Sequence, residues 1–519
     1  MSSKIIIGSR GSDLALWQAN YTKDALEKLG HTIEIKIIKT QGDKIQHLSF
    51  DKMEGKGFFT KELEDCLLSG EIDLAVHSHK DLPTTNPPGL TIAAVSYREN
   101  SAETLLIRPE AYDSSSKFRL KANAIVGTSS LRRKSQLLHH RPDLTINDLR
   151  GNVPTRIGKL VDKQYDAIVL ASAGLKRLGL NPEGLIQVEL SQIEFIPAPA
   201  QGVLAYQIRE NDQTLHKVLS NLHHEDVYRS ISIERGVLNR LDGGCQLPLG
   251  VFCQEDELGF HSWVSLQPLN GSPYRRFYHH SESNIGLIEK LIHRLEQAEN
   301  RRVYISREAE DASLFIAQTS SYGFETLSGS PLITETVEVN HMPFTEWVFF
   351  SSRNCVKHFF EQELKIPEVC SVAALGSGTA DELLKHGIKA SFIGNDGKVE
   401  ETAAKFLAQV IGKSVLFPIG DASIRSVQKV IENQVQCHEI VVYRQSENPD
   451  FICEKADIYV FTSPRLFEEF KDKAKLSNSQ IVVIGEKTAA TIEATGIKNV
   501  LISRETNEQA LADLVCGLA

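Results

Sequence analysis

Short apolar runs of strand length alternate with stretches of helical period along almost the whole chain, and this rhythm limits the fold more than any other feature. Lys4-Ile-Ile-Ile7 reads as a strand, Leu14 to Leu29 as a helix and Thr32 to Ile38 as a strand again. Glu62 to Leu68 is helical, Ile72 to Val76 and Ile125-Val126 are strands, Leu131 to His140 is a helix and Ala167 to Ala171 a buried strand. Such alternation predicts an α/β fold of mostly parallel sheets covered by helices. The runs stay short, as in Trp347-Val-Phe-Phe350 and Ile481-Val-Val-Ile484. None approaches the ~20 residues that span a bilayer, so no membrane partner is expected.

With 519 residues the chain is long enough for several domains. A hydrophobic fraction of 41% and a charged fraction of 24% exclude a wholly disordered chain. The start, Met-Ser-Ser-Lys-Ile-Ile-Ile-Gly, lacks the apolar core of a signal peptide and points to a cytoplasmic protein. Eight cysteines (Cys66, Cys245, Cys253, Cys355, Cys370, Cys437, Cys453 and Cys516) form no CxxC pair and no zinc spacing. They read as reduced thiols, and no metal site is expected. The net charge of −10 is uneven: residues 1–300 hold 35 Lys+Arg against 37 Asp+Glu, residues 301–519 only 22 against 30. Neither part is basic, which argues against a nucleic-acid partner. Arginines nonetheless cluster locally in the first part.

Residues 41–60 are rich in Gly and Lys, long for a connection, and read as a mobile lid or a poorly ordered stretch. Ile196-Pro-Ala-Pro-Ala-Gln-Gly202 reads as a crossover or hinge. Gly250 to Phe260 and His261 to Leu266 alternate like a small antiparallel sheet, closed by a helix from Ile285 to Glu299. A new rhythm starts at Arg302, so a boundary falls near Asn300. The second part echoes itself: Ala374-Leu-Gly-Ser-Gly-Thr-Ala380 resembles Val483-Ile-Gly-Glu-Lys-Thr-Ala489, and Phe350-Ser-Ser-Arg353 resembles Phe461-Thr-Ser-Pro-Arg465. Two similar lobes with a cleft between them follow.

Gly127-Thr-Ser-Ser-Leu-Arg-Arg133 follows a strand and opens a helix. Helix-start N–H groups, hydroxyls and paired guanidiniums suit an anion, although an N-cap with a solvated Arg pair is the blander use. Gly8-Ser-Arg-Gly-Ser12, Leu149-Arg-Gly-Asn152 and Pro154-Thr-Arg156 repeat the pattern at strand ends, where α/β ligands bind, and so favour a polyanionic small molecule. Leu74-Ala-Val-His-Ser-His-Lys-Asp-Leu-Pro83 ends a buried strand with Asp81 beside Lys80. That pair is either a general acid/base with a cation stabiliser or a Lys–Asp pair in a turn. His77 and His79 share a side if the strand continues, without the further ligands a metal needs. Cys245, in Gly243-Gly-Cys-Gln-Leu-Pro-Leu-Gly250, sits on a Gly-flanked loop that would expose its thiol for attachment; Cys253 is its near competitor.

In their order, these segments resemble hydroxymethylbilane synthase, also called porphobilinogen deaminase, from about Ile5 to Glu299. The motifs are Ser9-Arg-Gly-Ser-Asp-Leu-Ala-Leu-Trp-Gln18, Gly55-Lys-Gly-Phe-Phe-Thr-Lys-Glu62, Val76-His-Ser-His-Lys-Asp81, Val126-Gly-Thr-Ser-Ser-Leu-Arg-Arg133, Leu149-Arg-Gly-Asn152, Ala173-Gly-Leu-Lys-Arg-Leu178, Glu234-Arg235 and Gly243-Gly-Cys-Gln246. The resemblance implies an enzyme joining four porphobilinogen molecules with loss of four ammonia. It implies a dipyrromethane cofactor on a thioether to Cys245 and a catalytic Asp81. It implies Lys80, Ser78, Ser129, Arg132 and Arg133 as cofactor contacts. Arg10, Ser12, Arg150 and Arg156, with Lys56 and Lys61 of the mobile loop, are implied at the substrate. Two lobes like those of periplasmic binding proteins are implied for 1–98 plus 201–220 and for 102–197, and a cofactor-bearing α+β domain for 225–300. One departure is Pro197-Ala-Pro-Ala-Gln-Gly202: the family usually has Gly before this Gln, so a stiffer hinge is expected.

The second part resembles uroporphyrinogen-III synthase through Val303-Tyr-Ile-Ser-Arg307, Phe350-Ser-Ser-Arg353, Gly376-Ser-Gly-Thr-Ala380, Val442-Tyr443, Phe461-Thr-Ser-Pro464 and Gly485-Glu-Lys-Thr-Ala489. The implied reaction closes hydroxymethylbilane while inverting its last ring, with lobes at 301–335 plus 445–519 and at 340–442. Tyr443 matches a tyrosine that assists hydroxyl departure; Ser351, Ser352, Thr462 and Ser463 become candidate carboxylate binders, with simple N-capping as the alternative. The whole chain then reads as a bifunctional tetrapyrrole enzyme, with porphobilinogen and hydroxymethylbilane as its small-molecule partners; its oligomeric state stays open, a monomer being compatible with the sequence. A degenerate or regulatory second part, or a two-lobed anion binder without chemistry, also fits the lobes; the missing signal peptide, Gly243-Gly-Cys-Gln246 and the Asp81 segment favour the enzyme over the binder.

Overall fold

A computed structural model describes residues 4–40, 60–114, 116–241, 247–268, 271–297, 299–394, 399–474, 476 and 479–518. The chain divides into two compact units, 1–297 and 298–519.

In the first unit the chain runs through β1 (Lys4–Ser9), α1 (Asp13–Lys28), β2 (Thr32–Ile37), α2 (Lys61–Ser69), β3 (Leu74–Ser78) and β4 (Leu90–Val95). It then crosses to β5 (Glu103–Ile107), β6 (Ile125–Gly127), α3 (Leu131–His140), β7 (Thr145–Asn147), α4 (Val153–Val161), β8 (Ala167–Ala171) and β9 (Ile186–Leu190), and returns as β10 (Leu204–Arg209). Two sheets result, ordered β2-β1-β3-β10-β4 and β7-β6-β8-β5-β9. They are mixed rather than mostly parallel. β10 runs antiparallel to β3 and β4, and β5 to β8 and β9. The crossovers explain this: each passes from sheet to sheet without a helix to turn the chain round, so its arriving strand runs against its neighbours. Ile7, Leu26, Leu74 and Ile208 fill one core; Leu105, Val126, Val169 and Phe195 fill the other.

The outgoing and returning crossovers are bonded side by side, Ser96 N–H to the Leu204 carbonyl and Glu99 N–H to the Gly202 carbonyl, both at 3.0 Å. Gly202 is required there: its φ is +90°, and a Cβ would lie 2.2 Å from the Glu99 carbonyl oxygen. Ala200, the departure from the family's glycine, also takes a left-handed φ of +59° and packs fully buried against Val95, Val203 and Ile231.

After the return come α5 (Glu225–Arg240), the antiparallel sheet β11 (Leu249–Asp256), β12 (Gly259–Leu266) and β13 (Arg275–Ser281), and α6 (Leu287–Glu296). β13 is a strand that sequence alternation alone did not suggest, because Arg275-Arg-Phe-Tyr-His-His-Ser281 is mostly polar.

The second unit has two sheets. One is fully parallel, ordered β15 (Glu325–Ser328), β14 (Arg302–Ile305), β22 (Ile458–Phe461), β23 (Gln480–Val483), β24 (Val500–Ile502). The other is ordered β16 (Leu332–Thr336), β21 (Gln436–Glu447), β20 (Ser414–Gly420), β17 (Trp347–Phe350), β18 (Ser371–Ala374), β19 (Phe392–Ile393), with only the β16–β21 pair antiparallel. Strand β16, which straddles the end of the range 301–335, thus pairs with the sheet that continues through 340–442. The internal echo is visible as matched caps. Ser352 precedes α7 (Arg353–Glu361) with φ −157° and Ser463 precedes α8 (Pro464–Phe470) with φ −158°. Gly376 and Gly485 cap the next helix of each lobe in extended backbone. No helix among the described residues is long and apolar enough to cross a membrane.

Candidate functional site

Strand β3 delivers the densest group of expected site residues. It stops at Ser78, and His79–Asp81 form one tight turn, so His77 and His79 do not share a strand face. The turn is pinned from two directions. The His79 N–H donates to the Val203 carbonyl at 2.9 Å, and Arg235 of α5 donates through Nη1 to the His79 carbonyl at 3.0 Å. Gln18 Nε2 donates to Ser78 Oγ at 2.9 Å, and Lys80 Nζ donates to Gln201 Oε1 at 3.0 Å. Ser78, Lys80, Arg177 and Gln201 line one small cavity. Asp81 is exposed. Burial holds the Lys80 ammonium below its ordinary pKa; Arg133 and Arg132 push the same way, and Asp81 and Glu103 oppose them.

The second sheet supplies the arginines. Ser129 Oγ bonds both the N–H and the carbonyl of Leu149 at 3.0 Å, tying the loop after β6 to the loop that carries Arg150. Arg132 and Arg133 lie buried in the first turn of α3 and converge on Glu103, the first residue of β5. Arg133 donates to its carboxylate through Nε (3.0 Å) and Nη2 (2.6 Å), and Arg132 through Nη2. Burial pushes the Glu103 carboxyl up, but the two guanidiniums outweigh it and leave it at about 2. The expected anion grip is therefore already oriented by an internal carboxylate. Arg156 donates from Nε to the Gly151 carbonyl at 2.7 Å. Its pKa falls to about 10, through burial first and then through Arg133 and Arg150, with Asp81 opposing. Arg133, Arg150 and Asp81 thus all lie within electrostatic reach of Arg156.

Other expected residues lie elsewhere. Arg10 follows β1 and is close enough to His77 to disfavour its proton. Ser12 caps α1 by accepting from the Ala15 N–H, and Lys61 sits exposed at the start of α2; among the described residues neither is bonded to the Asp81 group. Cys245 and Lys56 lie outside the described residues, as does most of 41–60. Cys253 is buried on β11, and burial raises its thiol to about 12, which removes it as a nucleophile at neutral pH. His77 bonds Gln207 at 3.1 Å, and burial lowers its pKa to about 4. No group of three or more potential ligands is placed for a metal among the described residues.

In the second unit Ser351, Ser352 and Tyr443 come together. Ser352 caps α7, accepting from the Cys355 N–H at 3.2 Å and donating to Cys355 Sγ at 3.2 Å. The half-buried Tyr443 lies on β21 opposite Gly420, where a Cβ would sit 2.6 Å from the ring carbon Cζ, so the glycine makes room for the phenol. Burial raises the Tyr443 hydroxyl to about 12; Cys355 adds to this and a hydrogen bond with Ser352 opposes it. The phenol thus stays protonated at neutral pH. Ser463 caps α8 through the Leu466 N–H at 3.2 Å, and the Thr462 N–H donates to Ser306 Oγ at 3.4 Å, both at the end of the other sheet.

Residues 5–217 match the family model described as porphobilinogen deaminase, dipyromethane cofactor binding domain. The chain is 48% identical over 248 residues to the porphobilinogen deaminase of a Nitratiruptor species, covering 48% of this chain and 78% of that protein. The chain belongs to the porphobilinogen deaminase family. The deaminase of Maridesulfovibrio salexigens is also 48% identical, over 254 residues, covering 48% of this chain and 80% of that protein. The deaminase match leaves the C-terminal unit free, and there residues 317–513 match the model of uroporphyrinogen-III synthase HemD. The chain is thus a fusion of two enzyme domains, the first of them the dipyrromethane-binding domain. A solved uroporphyrinogen-III synthetase from Helicobacter pylori aligns with 42% of this chain and 100% of its own, at 20% identity and a TM-score of 0.34.

Several contributors to the deaminase site escaped sequence reading. Glu103 orients the arginine pair, Gln201 holds Lys80, and Arg235 pins the Asp81 turn. Glu103 left one signal: a lone carboxylate opening the otherwise apolar strand Glu103-Thr-Leu-Leu-Ile107 must be paired if it is buried. Glu234-Arg235 stood in a family motif without a role.

Proposed function

We propose that the deaminase unit joins four porphobilinogen molecules into hydroxymethylbilane, releasing four ammonia, and that the second unit closes this bilane to uroporphyrinogen III with inversion of its last ring. The observation that carries the first half is the Asp81 turn, pinned at the end of β3 by Val203 and Arg235 and within electrostatic reach of Arg156. The cations Lys80, Arg132, Arg133, Arg150 and Arg156 exceed the two carboxylates beside them, Asp81 and Glu103. Such an excess suits ligands that carry acetate and propionate groups. Dipyrromethane fits this donor set. Ser78, Lys80, Ser129, Arg132 and Arg133 would hold it, with Cys245 as the thioether. When bound, it supplies the pyrrole end on which the chain is built. Arg10, Ser12, Arg150, Arg156, Lys56 and Lys61 would hold incoming porphobilinogen. Loss of ammonia from porphobilinogen leaves an azafulvene cation. The exposed Asp81 carboxylate stabilises that charge and takes the pyrrole proton once the new bond forms. Lys80, fixed by Gln201, keeps positive charge at the ligand carboxylates.

In the second unit the protonated Tyr443 hydroxyl is suited to donate a hydrogen bond to the departing hydroxyl. Ser351, Ser352, Thr462 and Ser463 offer hydroxyls and helix-start N–H groups to substrate carboxylates. On this reading the units divide as 1–98 plus 201–220, 102–197 and 225–300, then 301–335 plus 445–519 and 340–442, except that β16 and the end of β21 go with the sheet of the last. It describes a cytoplasmic enzyme.

Two measurements test it. The intact mass of active protein is expected to carry an adduct of dipyrromethane size, lost in Cys245→Ser; a bare polypeptide with full activity overturns the attachment. The product from porphobilinogen is expected to be uroporphyrinogen III. Only uroporphyrinogen I, the spontaneous closure product, would mark the second unit as a regulatory appendage.

A further inference from the structure

We propose that His358 is the positioning residue for Tyr443, holding the phenol ring in the orientation that ring closure requires. The inference rests on the reading that Tyr443 assists hydroxyl departure. His358 lies on α7, is 3% exposed, and has both ring nitrogens engaged. Nδ1 is 2.8 Å from Thr336 Oγ1 and 2.9 Å from Glu361 Oε2, and Nε2 is 2.8 Å from Thr334 Oγ1. Thr334 and Thr336 are alternate residues of β16 and so present their hydroxyls on one face. The same strand pairs with β21, placing Thr336 opposite Tyr443. A histidine that only filled space would need one partner. This one is held at both nitrogens, which fixes the plane of its ring as well as its position.

That plane lies against the phenol. The His358 and Tyr443 rings stack with centroids 5.2 Å apart and planes 25° apart. Gly420 closes on the hydroxyl end of the phenol, where an added Cβ would meet Cζ at 2.6 Å and Oη at 2.8 Å. Tyr443 is therefore bounded by two fixed surfaces, and packing directs its hydroxyl. A hydroxyl misplaced by about 1 Å can lose on the order of 100-fold in rate, so the clamp has catalytic leverage although His358 touches no reacting atom.

The test is a double-mutant comparison in the full chain, reading ammonia release, closure kinetics and product isomer. His358→Ala is expected to lower kcat for closure about 10- to 100-fold, to leave KM within about threefold, and to raise the share of uroporphyrinogen I. Ammonia release, a property of the other unit, should not change. In a Tyr443→Phe background the same replacement should alter kcat by less than about threefold, because its effect passes through the missing hydroxyl. His358→Phe keeps a flat ring without the nitrogen contacts and should recover part of the loss, falling between the parent and the ringless variant; if the alanine variant does not fold, His358→Leu takes its place as the ringless comparison. Additive losses in the double variant, or equal losses with Leu and Phe, overturn the positioning role. Near-normal closure by Tyr443→Phe alone overturns the reading of Tyr443 on which the inference stands, a distinct result.

Discussion

Asp81 is exposed, whereas the backbone around it is held by Arg235 and Val203. Replacing its carboxylate should therefore leave the fold intact. Asp81→Asn is expected to unfold like the parent in urea while losing on the order of 10²–10⁴ in ammonia release; near-normal release would remove it from the chemistry. Ala200 poses a different residue-scale question. A left-handed alanine costs roughly 1–2 kcal/mol, which argues for glycine. Yet its methyl is fully buried among Val95, Val203 and Ile231, worth about 0.8 kcal/mol, and glycine adds about 0.5–1 kcal/mol of chain entropy to lose. The terms nearly cancel, which explains how alanine is accommodated at this left-handed position. Ala200→Gly should shift stability by less than about 1 kcal/mol, while the β-branched Ala200→Val should destabilise by more than about 2 kcal/mol, both read from urea midpoints.

Among the elements, α5 joins the parts of the deaminase unit. Its Glu234 is fully buried and accepts from Arg98 Nη1 (2.7 Å), from the Ala200 N–H (2.7 Å) on the returning crossover, and from the Cys253 N–H (2.8 Å) on β11. One carboxylate thus serves both crossovers and the three-stranded sheet. Removing it takes the acceptor from the half-buried Arg98 guanidinium and from two N–H groups, so Glu234→Ala should cost about 3–5 kcal/mol in thermal or urea unfolding of the deaminase unit. A loss under about 1 kcal/mol would show that water replaces it. The partners of Glu234 come from residues more than a hundred positions away in Arg98 and nineteen away in Cys253. Only folding brings them together.

For the molecule as a whole, buried titratable groups set an acid limit. Folded His77 keeps a pKa of about 4 against an ordinary 6.5, and His79 and His140 are lowered in the same direction by burial. The unfolded chain therefore binds the additional protons. Stability is full above about pH 6.5 and falls toward pH 4, by about 3 kcal/mol for His77 alone. Glu103, at about 2 instead of 4.5, contributes stability that is complete above pH 4.5 and is lost as pH falls toward 2. Urea titrations at pH 7.5, 5.5 and 4.5 should show this decline, and His77→Gln should flatten part of it; an unchanged slope would mean His77 gains a proton without unfolding.

The strand–helix rhythm, the boundary near residue 300, the internal echo and the motifs at strand ends were legible in the linear chain, because they depend on local periodicity and on residue types at short spacing. The place of Asp81 at the end of a buried strand was legible for the same reason. The mixed direction of the sheets, the capture of Arg132 and Arg133 by Glu103, and the stacking of His358 on Tyr443 were not. Each depends on which distant segments the crossovers and sheet pairings bring within hydrogen-bond or van der Waals reach, and sequence spacing carries no record of that distance.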